Sequence, residues 1–123
     1  MNTTKSPKTI CVDLLHRSPC RVQMAAVLVD QQQRVYSWGW NNNYQHAEVH
    51  AIKRANPKRV SGSTLYLAGR RAKSGNWVYA FPCSSKCYKF VLRWGVTRLV
   101  SLGKDGVWTI YERRGNSFLM TLP

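Results

Sequence analysis

The chain has 123 residues, and its 19 Lys and Arg residues outnumber its five Asp and Glu residues, giving a formal net charge of +14 at pH 7. A chain of this length predicts one domain, residues 1–123, with a modest core. No apolar run approaches the roughly 18 residues of a membrane span, which excludes a membrane-spanning protein. Because residues 1–9 are polar and basic and contain no apolar segment of the kind found in signal peptides, we expect a soluble, cytoplasmic protein. The net charge predicts that it attracts polyanions.

The first half of the chain predicts a helix, a hairpin and a second helix. Residues 8–17 are compatible with a short helix. Arg21–Val29 and Arg34–Trp40 are rich in β-branched and aromatic residues and flank a short polar turn, which is the pattern of two strands. His46–Ala55 then predicts a helix that ends before an Asn-Pro pair.

The second half predicts two more strands with a helix between them, and a final strand. Thr64–Ala68 is an apolar strand, Cys83–Trp94 a helix ended by Gly95, and Val96–Leu102 the next strand. Only four residues separate this strand from Val107–Tyr111, so the last two strands should form an antiparallel hairpin. The two strand–helix–strand connections predict an α/β fold, with a parallel central portion and helices on its faces.

Two short motifs carry the chemistry. His-Ala-Glu occupies residues 46–48, and Pro-Cys-Ser-Ser-Lys-Cys occupies residues 82–87. A catalytic zinc ion takes three protein ligands and keeps a fourth position for water, whose pKa it lowers to roughly 7. We therefore predict that His46, Cys83 and Cys87 bind Zn²⁺.

Glu48 is the predicted catalytic residue. Two positions along a helix point in different directions, so Glu48 does not share the face of His46 and is free to transfer protons rather than bind the metal. His50 lies one turn beyond His46, but His-x-Glu-x-His is not the metalloprotease pattern, so we assign His50 to the core or to the surroundings of the ligands. Cys11 and Cys20 could pair with each other, but in a reducing compartment we expect free, partly buried thiols, and we assign them no function.

His-x-Glu followed by Pro-Cys and a second Cys is the zinc deaminase pattern, and over residues 20–112 the chain resembles the cytidine deaminase superfamily. Met24–Val29 with Gly39-Trp40-Asn41 is similar to the segment before the His motif in bacterial tRNA adenosine deaminases and deoxycytidylate deaminases. Gly95–Val100 is similar to small deoxycytidylate-type deaminases of viruses and phages. Three residues rather than two lie between the cysteines, a spacing also found in polynucleotide deaminases of the AID/APOBEC type, and Phe81 replaces a Glu of the tRNA enzymes.

The resemblance implies a cytidine deaminase-like three-layer α/β/α sandwich with a five-stranded mixed sheet. It also implies that the protein hydrolyses the exocyclic amine of cytosine, leaving uracil. Asn41 is expected to hydrogen-bond the sugar of the target nucleotide, a role that Asn42 or Asn43 could also take. The expected substrate-binding residues are Trp40, Asn41, Ala47 and Pro82.

Charge and aromatic residues predict the substrate class. The segment 70–80 places cations and rings directly before the cysteines, and aromatic rings can stack on bases. The predicted nucleic-acid contacts are Arg70, Arg71, Lys73, Trp77 and Tyr79. For Trp77, the alternative is a ring packed over the core. We expect a single-stranded nucleic acid partner, with single-stranded DNA favoured and the target base unstacked.

Three alternatives stay open. A free deoxycytidylate or cytidine deaminase is favoured by the small size and the C-terminal hairpin. An adenosine deaminase acting on RNA is suggested by the segment before His46. A noncatalytic nucleic-acid-binding module with structural zinc is the third, and the presence of Glu48 argues against it. The sequence predicts no oligomeric state.

Overall fold

The computed structural model of the protein describes residues 5–82 and 85–121. Within them the chain forms one mixed sheet with helices on both faces. The strands are β1 Val22–Val29, β2 Val35–Trp40, β3 Thr64–Arg71, β4 Arg98–Leu102, β5 Trp108–Arg114 and β6 Ser117–Met120. The helices are α1 Pro7–Asp13, which continues into a 3-10 turn at Leu14–Arg17, α2 Ala47–Arg54, α3 Pro57–Val60 and α4 Ser85–Arg93.

The strands are ordered β2-β1-β3-β4-β5-β6 across the sheet. Among the described strands, β3 and β4 form the parallel neighbouring pair, and the other neighbours are antiparallel. The predicted hairpin of β4 and β5 is confirmed, with Arg98 opposite Glu112 and Leu102 opposite Trp108. The first strand–helix–strand connection does not join neighbours, because β1 lies between β2 and β3.

The sheet has six strands rather than the predicted five. The additional strand, β6, pairs with β5 and places Phe118 in the core. Gly115 adopts a φ of 62°, a left-handed conformation that glycine tolerates and that lets the chain reverse directly after β5. The strand was missed because its four residues expose three side chains, so they give no clear alternation of apolar and polar positions.

The predicted three layers are present. On one face of the sheet, α2, α3 and α4 cover a core that includes Leu65 and Leu67. On the other face, α1 and the 3-10 turn pack on the remaining side of β1 through Cys11 and Leu15. Strand β1 is therefore buried on both sides, which explains its continuous apolar sequence.

The end of α2, the two remaining cysteines and the lengths of the helices can each be compared with the sequence predictions. The predicted boundary of the second helix is confirmed, because α2 ends at Arg54 and Asn56 caps the following α3. Cys11 and Cys20 form no disulfide within the described residues, as predicted. None of the described helices combines the length and hydrophobicity needed to cross a membrane.

The topology brings two helix starts to one edge of the sheet. Strands β2 and β3 run in the same direction, because each is antiparallel to β1. The chain leaves β2 to form α2, and it leaves β3 to form α4. Each helix follows the end of its strand, and the first residues of both helices lie at the same edge, where ligand sites of α/β sheets commonly occur.

Gly39 lets α2 approach β2 closely. A Cβ at this position would lie 2.6 Å from the backbone nitrogen of Ala51 and 2.9 Å from the carbonyl oxygen of Ala47. We expect Gly39→Ala to push α2 outward and to lower the free energy of unfolding by about 1–3 kcal/mol, the usual cost of overpacking. Thermal unfolding measures the loss, with Ser117→Ala at an exposed strand position as the control. An unchanged melting temperature would contradict the close packing.

Candidate active site

His46, Glu48 and Cys87 meet at the edge where α2 and α4 begin. Each offers one ligand atom, and these atoms lie within 4.8 Å of one another. His46 is the N-cap residue of α2. Its Nδ1 lies 3.1 Å from the Sγ of Cys87. Two residues separated by 41 positions in the sequence are thus brought together by the order of strands and helices.

Cys83, the other predicted thiolate ligand, lies outside the described residues, so its role as a ligand stays a prediction. The described residues nevertheless fit zinc. An imidazole and a thiol are the donors that zinc commonly uses. The third member of the cluster, Glu48, is a carboxylate that can act beside the metal.

Glu48 is almost completely buried, with 3% of its surface exposed. Its Oε1 has no hydrogen-bond partner among the described residues and lies 3.5 Å from the Nδ1 of His46. Burial raises the pKa of Glu48 above its ordinary value, and His46 and a hydrogen bond with Cys87 oppose this rise. Because buried polar atoms are normally hydrogen-bonded, this orphaned oxygen indicates that a metal, a water or a substrate completes the site.

A cavity of about 410 Å³ opens beside this cluster. Its wall includes His46, Ala47 and Glu48 from the start of α2, together with Asn41 from the preceding loop. The other wall comes from the end of β3 and the segment that follows it, and the residues with chemical character there are Arg71, Tyr79 and Phe81. The cavity is within the size range of small-molecule sites.

The two rings of the cavity wall are ordered by contacts. Tyr79 stacks on Phe81, with ring centroids 5.7 Å apart and an angle of 9° between the planes. The hydroxyl of Tyr79 shares a hydrogen bond of 2.9 Å with the hydroxyl of Tyr111. Partial burial, with a further contribution from Tyr111, raises the pKa of Tyr79 to about 12. Tyr79 is therefore a neutral, half-exposed ring at the cavity.

The side chain of Asn41 holds the start of β1. Its Oδ1 accepts hydrogen bonds from the amide of Met24 at 2.8 Å and from the hydroxyl of Ser18 at 2.5 Å. Its Nδ2 donates to the carbonyl oxygen of Val22 at 2.8 Å. These contacts fix the amide orientation and leave one N–H of Nδ2 for a ligand. The predicted contact with a sugar can therefore involve that single donor.

Asn41→Asp is expected to destabilise the fold even without substrate. The carboxylate would lose the bond to the carbonyl oxygen of Val22 and place an acceptor against it, at a cost of about 1–3 kcal/mol. We expect the melting temperature to fall by about 5–10 °C. Asn43→Asp, the same change at an exposed position, is the control. Equal melting temperatures for the two variants would exclude the structural role of Asn41.

Other predicted site residues lie away from this cavity. Trp40 packs against the core on the α1 side of the sheet. Its ring lies edge-on to that of His50, with the ring centroids 4.8 Å apart. Pro82 is buried but does not line the cavity. Trp77 packs against the core on the α1 side and lies against the turn at Gly106, as its core alternative proposed. The predicted contacts of Trp40 and Pro82 with substrate, and of Trp77 with nucleic acid, stay predictions.

The remaining cations of the segment 70–80 also differ in position. Both the Nε and an Nη of Arg70 donate to the Oε1 of Gln23, at 3.3 and 3.2 Å, so its guanidinium is held on β1. Lys73 is exposed in the turn after β3. Arg71 is exposed, lines the cavity and has no ion pair among the described residues. It is the cation of this segment that the structure brings to the cavity.

The apolar floor of the cavity was not predicted. It comes from Val22 and Met24 at the start of β1, and from Val78. Val22 pairs with Arg71, and Met24 with Gly69, so β1 starts where β3 ends. No pattern in the sequence identifies this floor, because it depends on the antiparallel pairing that places the start of β1 beside the end of β3.

His50 is part of the packing between α2 and β2. Its Nδ1 lies 3.2 Å from the amide nitrogen and 3.1 Å from the carbonyl oxygen of Trp40. It does not belong to the His46 cluster, which is the one group of three potential metal ligands in residues 5–82 and 85–121. His50 was predicted to lie in the core or around the ligands, and the structure places it in the packing between α2 and β2.

A comparison with curated proteins found no match. The family model described as the cytidine and deoxycytidylate deaminase zinc-binding region matches residues 1–102. This range includes both motifs, and the described cluster has the donors expected for zinc. The chain therefore belongs to the cytidine and deoxycytidylate deaminase family, whose catalytic metal is zinc.

Proposed function

We propose that the protein deaminates cytosine to uracil in single-stranded nucleic acid, with single-stranded DNA as the favoured substrate. The observation that carries this proposal is the cavity beside Glu48. It combines the stacked rings of Tyr79 and Phe81 with Arg71, which forms no ion pair within the described part of the chain. A base can pack between apolar and aromatic walls while Arg71 attracts a phosphate. Single-stranded nucleic acid sites combine cations and aromatic rings in this way.

In this mechanism, His46 and Cys87, together with Cys83, would hold the metal. When bound, zinc supplies the Lewis acidity that brings the pKa of a coordinated water to about 7. Glu48 accepts a proton from the attacking water and passes it to the ring nitrogen of cytosine. The water oxygen bonds to the ring carbon that carries the amine. Glu48 then takes the second proton from that oxygen and gives it to the amine, so that the C–N bond breaks, ammonia leaves and the carbonyl group of uracil forms. Its burial keeps the carboxylate out of bulk water, so proton transfer is directed to the substrate.

The cavity walls give the base its place. Met24 and Val78 provide an apolar surface for the ring, and the second N–H of Asn41 is a donor for the sugar. In a polymer the target base must leave its stack to enter the cavity, and this costs least in a strand that is already single. Single-stranded substrates should therefore react faster than duplexes.

The charge of the chain supports a polymeric substrate. The formal net charge of +14 gives long-range attraction for a polyanion. Arg71 adds a local cation at the cavity itself. Free deoxycytidylate carries one phosphate group, for which one arginine would suffice. The remaining positive charge can bind further phosphates only on a nucleic acid strand.

The second candidate is a deaminase of free deoxycytidylate. It is favoured by the same Arg71, which could bind a single phosphate, and by the antiparallel hairpin of β4 and β5. Mass-spectrometric readout of deamination across deoxycytidine, deoxycytidylate, single-stranded DNA, duplex DNA and tRNA separates the two. Rapid conversion of deoxycytidylate with no conversion of a single-stranded oligonucleotide would exclude the polymer proposal. Inosine formation in tRNA would instead favour the adenosine alternative.

Binding to a single-stranded oligonucleotide should weaken steeply with salt. Each phosphate contact on a single strand contributes about −0.7 to the slope of log K against log salt. Three contacts then predict about a 20-fold loss of affinity between about 50 and 200 mM salt. Fluorescence anisotropy with a labelled oligonucleotide measures the slope, and Arg71→Gln should make it shallower by about the value of one contact. A flat salt response would show that the charge is not used for binding.

A further inference from the structure

A second cavity, of about 480 Å³, adjoins the metal centre and shares His46 with the first cavity. Cys87 also contributes to its wall. Neither the target base nor its sugar occupies this second cavity in the proposed mechanism. Its other principal residues are Tyr44, Val49, Lys53, Lys86 and Phe90.

Two parallel rows of side chains form this cavity. Val49 and Lys53 are one turn apart on α2, and Lys86 and Phe90 are one turn apart on α4, so each helix contributes one apolar side chain and one cation. Both lysines are exposed, and neither has an ion pair among the described residues. The groove between the helices therefore has an apolar floor with two available positive charges.

Tyr44 stands at the mouth of the groove with 96% of its surface exposed. The backbone beneath it is held by two hydrogen bonds. The amide of Tyr44 donates to the Oδ1 of Asn42 at 2.8 Å, and the amide of Asn42 donates to the carbonyl oxygen of Gln45 at 3.0 Å. An aromatic ring presented to solvent on an ordered turn is a ready surface for a base to stack on.

We propose that this groove binds a nucleotide directly next to the target cytidine in the same strand. The base of that neighbour stacks on Tyr44 and packs towards Phe90, and its phosphate lies near Lys53 and Lys86. The ring of Tyr44 and the two lysines match the base and the phosphate of a nucleotide, and His46 borders both cavities. The inference rests on the proposed function, because a free nucleotide has no neighbour to place there.

The substrate-side test uses a single-stranded oligonucleotide with one cytosine. An abasic site replaces the nucleotide on the 5′ side of the target, the nucleotide on the 3′ side, or one five positions away. Loss of stacking should lower kcat/KM about tenfold for one of the two adjacent positions, mainly through KM. The distant abasic site is the control. Equal rates for all three substrates would overturn the inference.

The protein-side test combines Tyr44→Ala, Lys53→Gln and Lys86→Gln, which change exposed side chains and should leave the melting temperature unchanged. The ratio of kcat/KM for the oligonucleotide to that for deoxycytidylate should fall at least tenfold, and the penalty of the adjacent abasic site should disappear. The matched control is Lys58→Gln with Lys104→Gln, two exposed lysines away from the groove. An unchanged ratio in the triple variant would overturn the inference.

The two proposals fail in different ways. A wild-type protein that converts deoxycytidylate but no oligonucleotide would contradict the proposed function, and the groove proposal would fall with it. A wild-type protein that converts oligonucleotides but ignores both the abasic neighbour and the triple substitution would contradict the groove alone.

Discussion

Glu48→Gln is expected to retain zinc and to lose nearly all turnover. Glutamine keeps the shape of the buried side chain but cannot accept and return a proton. Loss of a general acid–base group lowers rates by roughly 100- to 10,000-fold. The measurements are kcat on the best substrate of the panel and the zinc content of the purified protein. Because Glu48 is proposed not to bind the metal, the two readouts should separate.

The chain offers a matched control, since its other glutamate is Glu112. Glu112 lies on β5 and pairs with Arg98 at 2.9 Å and with Arg114 at 3.4 Å. Such exposed ion pairs contribute about 0–1 kcal/mol, so Glu112→Gln should keep both stability and turnover. Full activity in Glu48→Gln would remove Glu48 from the mechanism. Loss of zinc in that variant would instead make Glu48 a ligand.

The meeting of His46 with Cys87 was predictable because it depends on element order. His46 lies at the start of α2, which follows β2, and Cys87 lies near the start of α4, which follows β3. Because β2 and β3 run in the same direction, both helix starts lie at the same edge of the sheet. This order of strands and helices can be predicted from the sequence, because apolar strand segments alternate with helix-start signals along the chain. The identity of the donors then determines the metal, since an imidazole with thiolates fits zinc.

The cavity wall was harder to predict because it depends on pairing. Whether Arg71 or Arg70 faces the site depends on the register of β3 against β1, and a shift by one residue exchanges the two. In the structure, Arg70 donates a hydrogen bond to Gln23, whereas Arg71 lines the cavity. Trp77 shows the same limit, because composition could not distinguish a ring that packs on the core from one that stacks on a base.

Asn41 shows a limit of another kind. The resemblance implied a contact with substrate, and the structure adds three hydrogen bonds within the protein. Those partners lie 17 to 23 residues away in the chain, so only the folded arrangement reveals them. A residue can hold the fold and contact substrate at once, and sequence alone cannot separate these contributions.

Removal of zinc is the second large effect that we expect. A metal that binds the folded protein stabilises it by about 2.7 kcal/mol when its concentration is 100 times the dissociation constant. Chelation should therefore abolish turnover and lower the melting temperature by about 10 °C, and added zinc should restore both. Calorimetry before and after chelation, with metal analysis of each sample, measures the change.

Cys87→Ser should reproduce the chelated state without a chelator, because a neutral hydroxyl is a much weaker zinc ligand than a thiolate. Cys20→Ser is the control, since Cys20 is half-buried and lies outside the His46 cluster. We expect Cys20→Ser to keep its zinc and turnover. The Cys87 variant should lose both, and added chelator should lower its melting temperature no further. A Cys87→Ser protein that kept one zinc ion per chain and full turnover would show that the cluster at the start of α2 and α4 is not the metal centre.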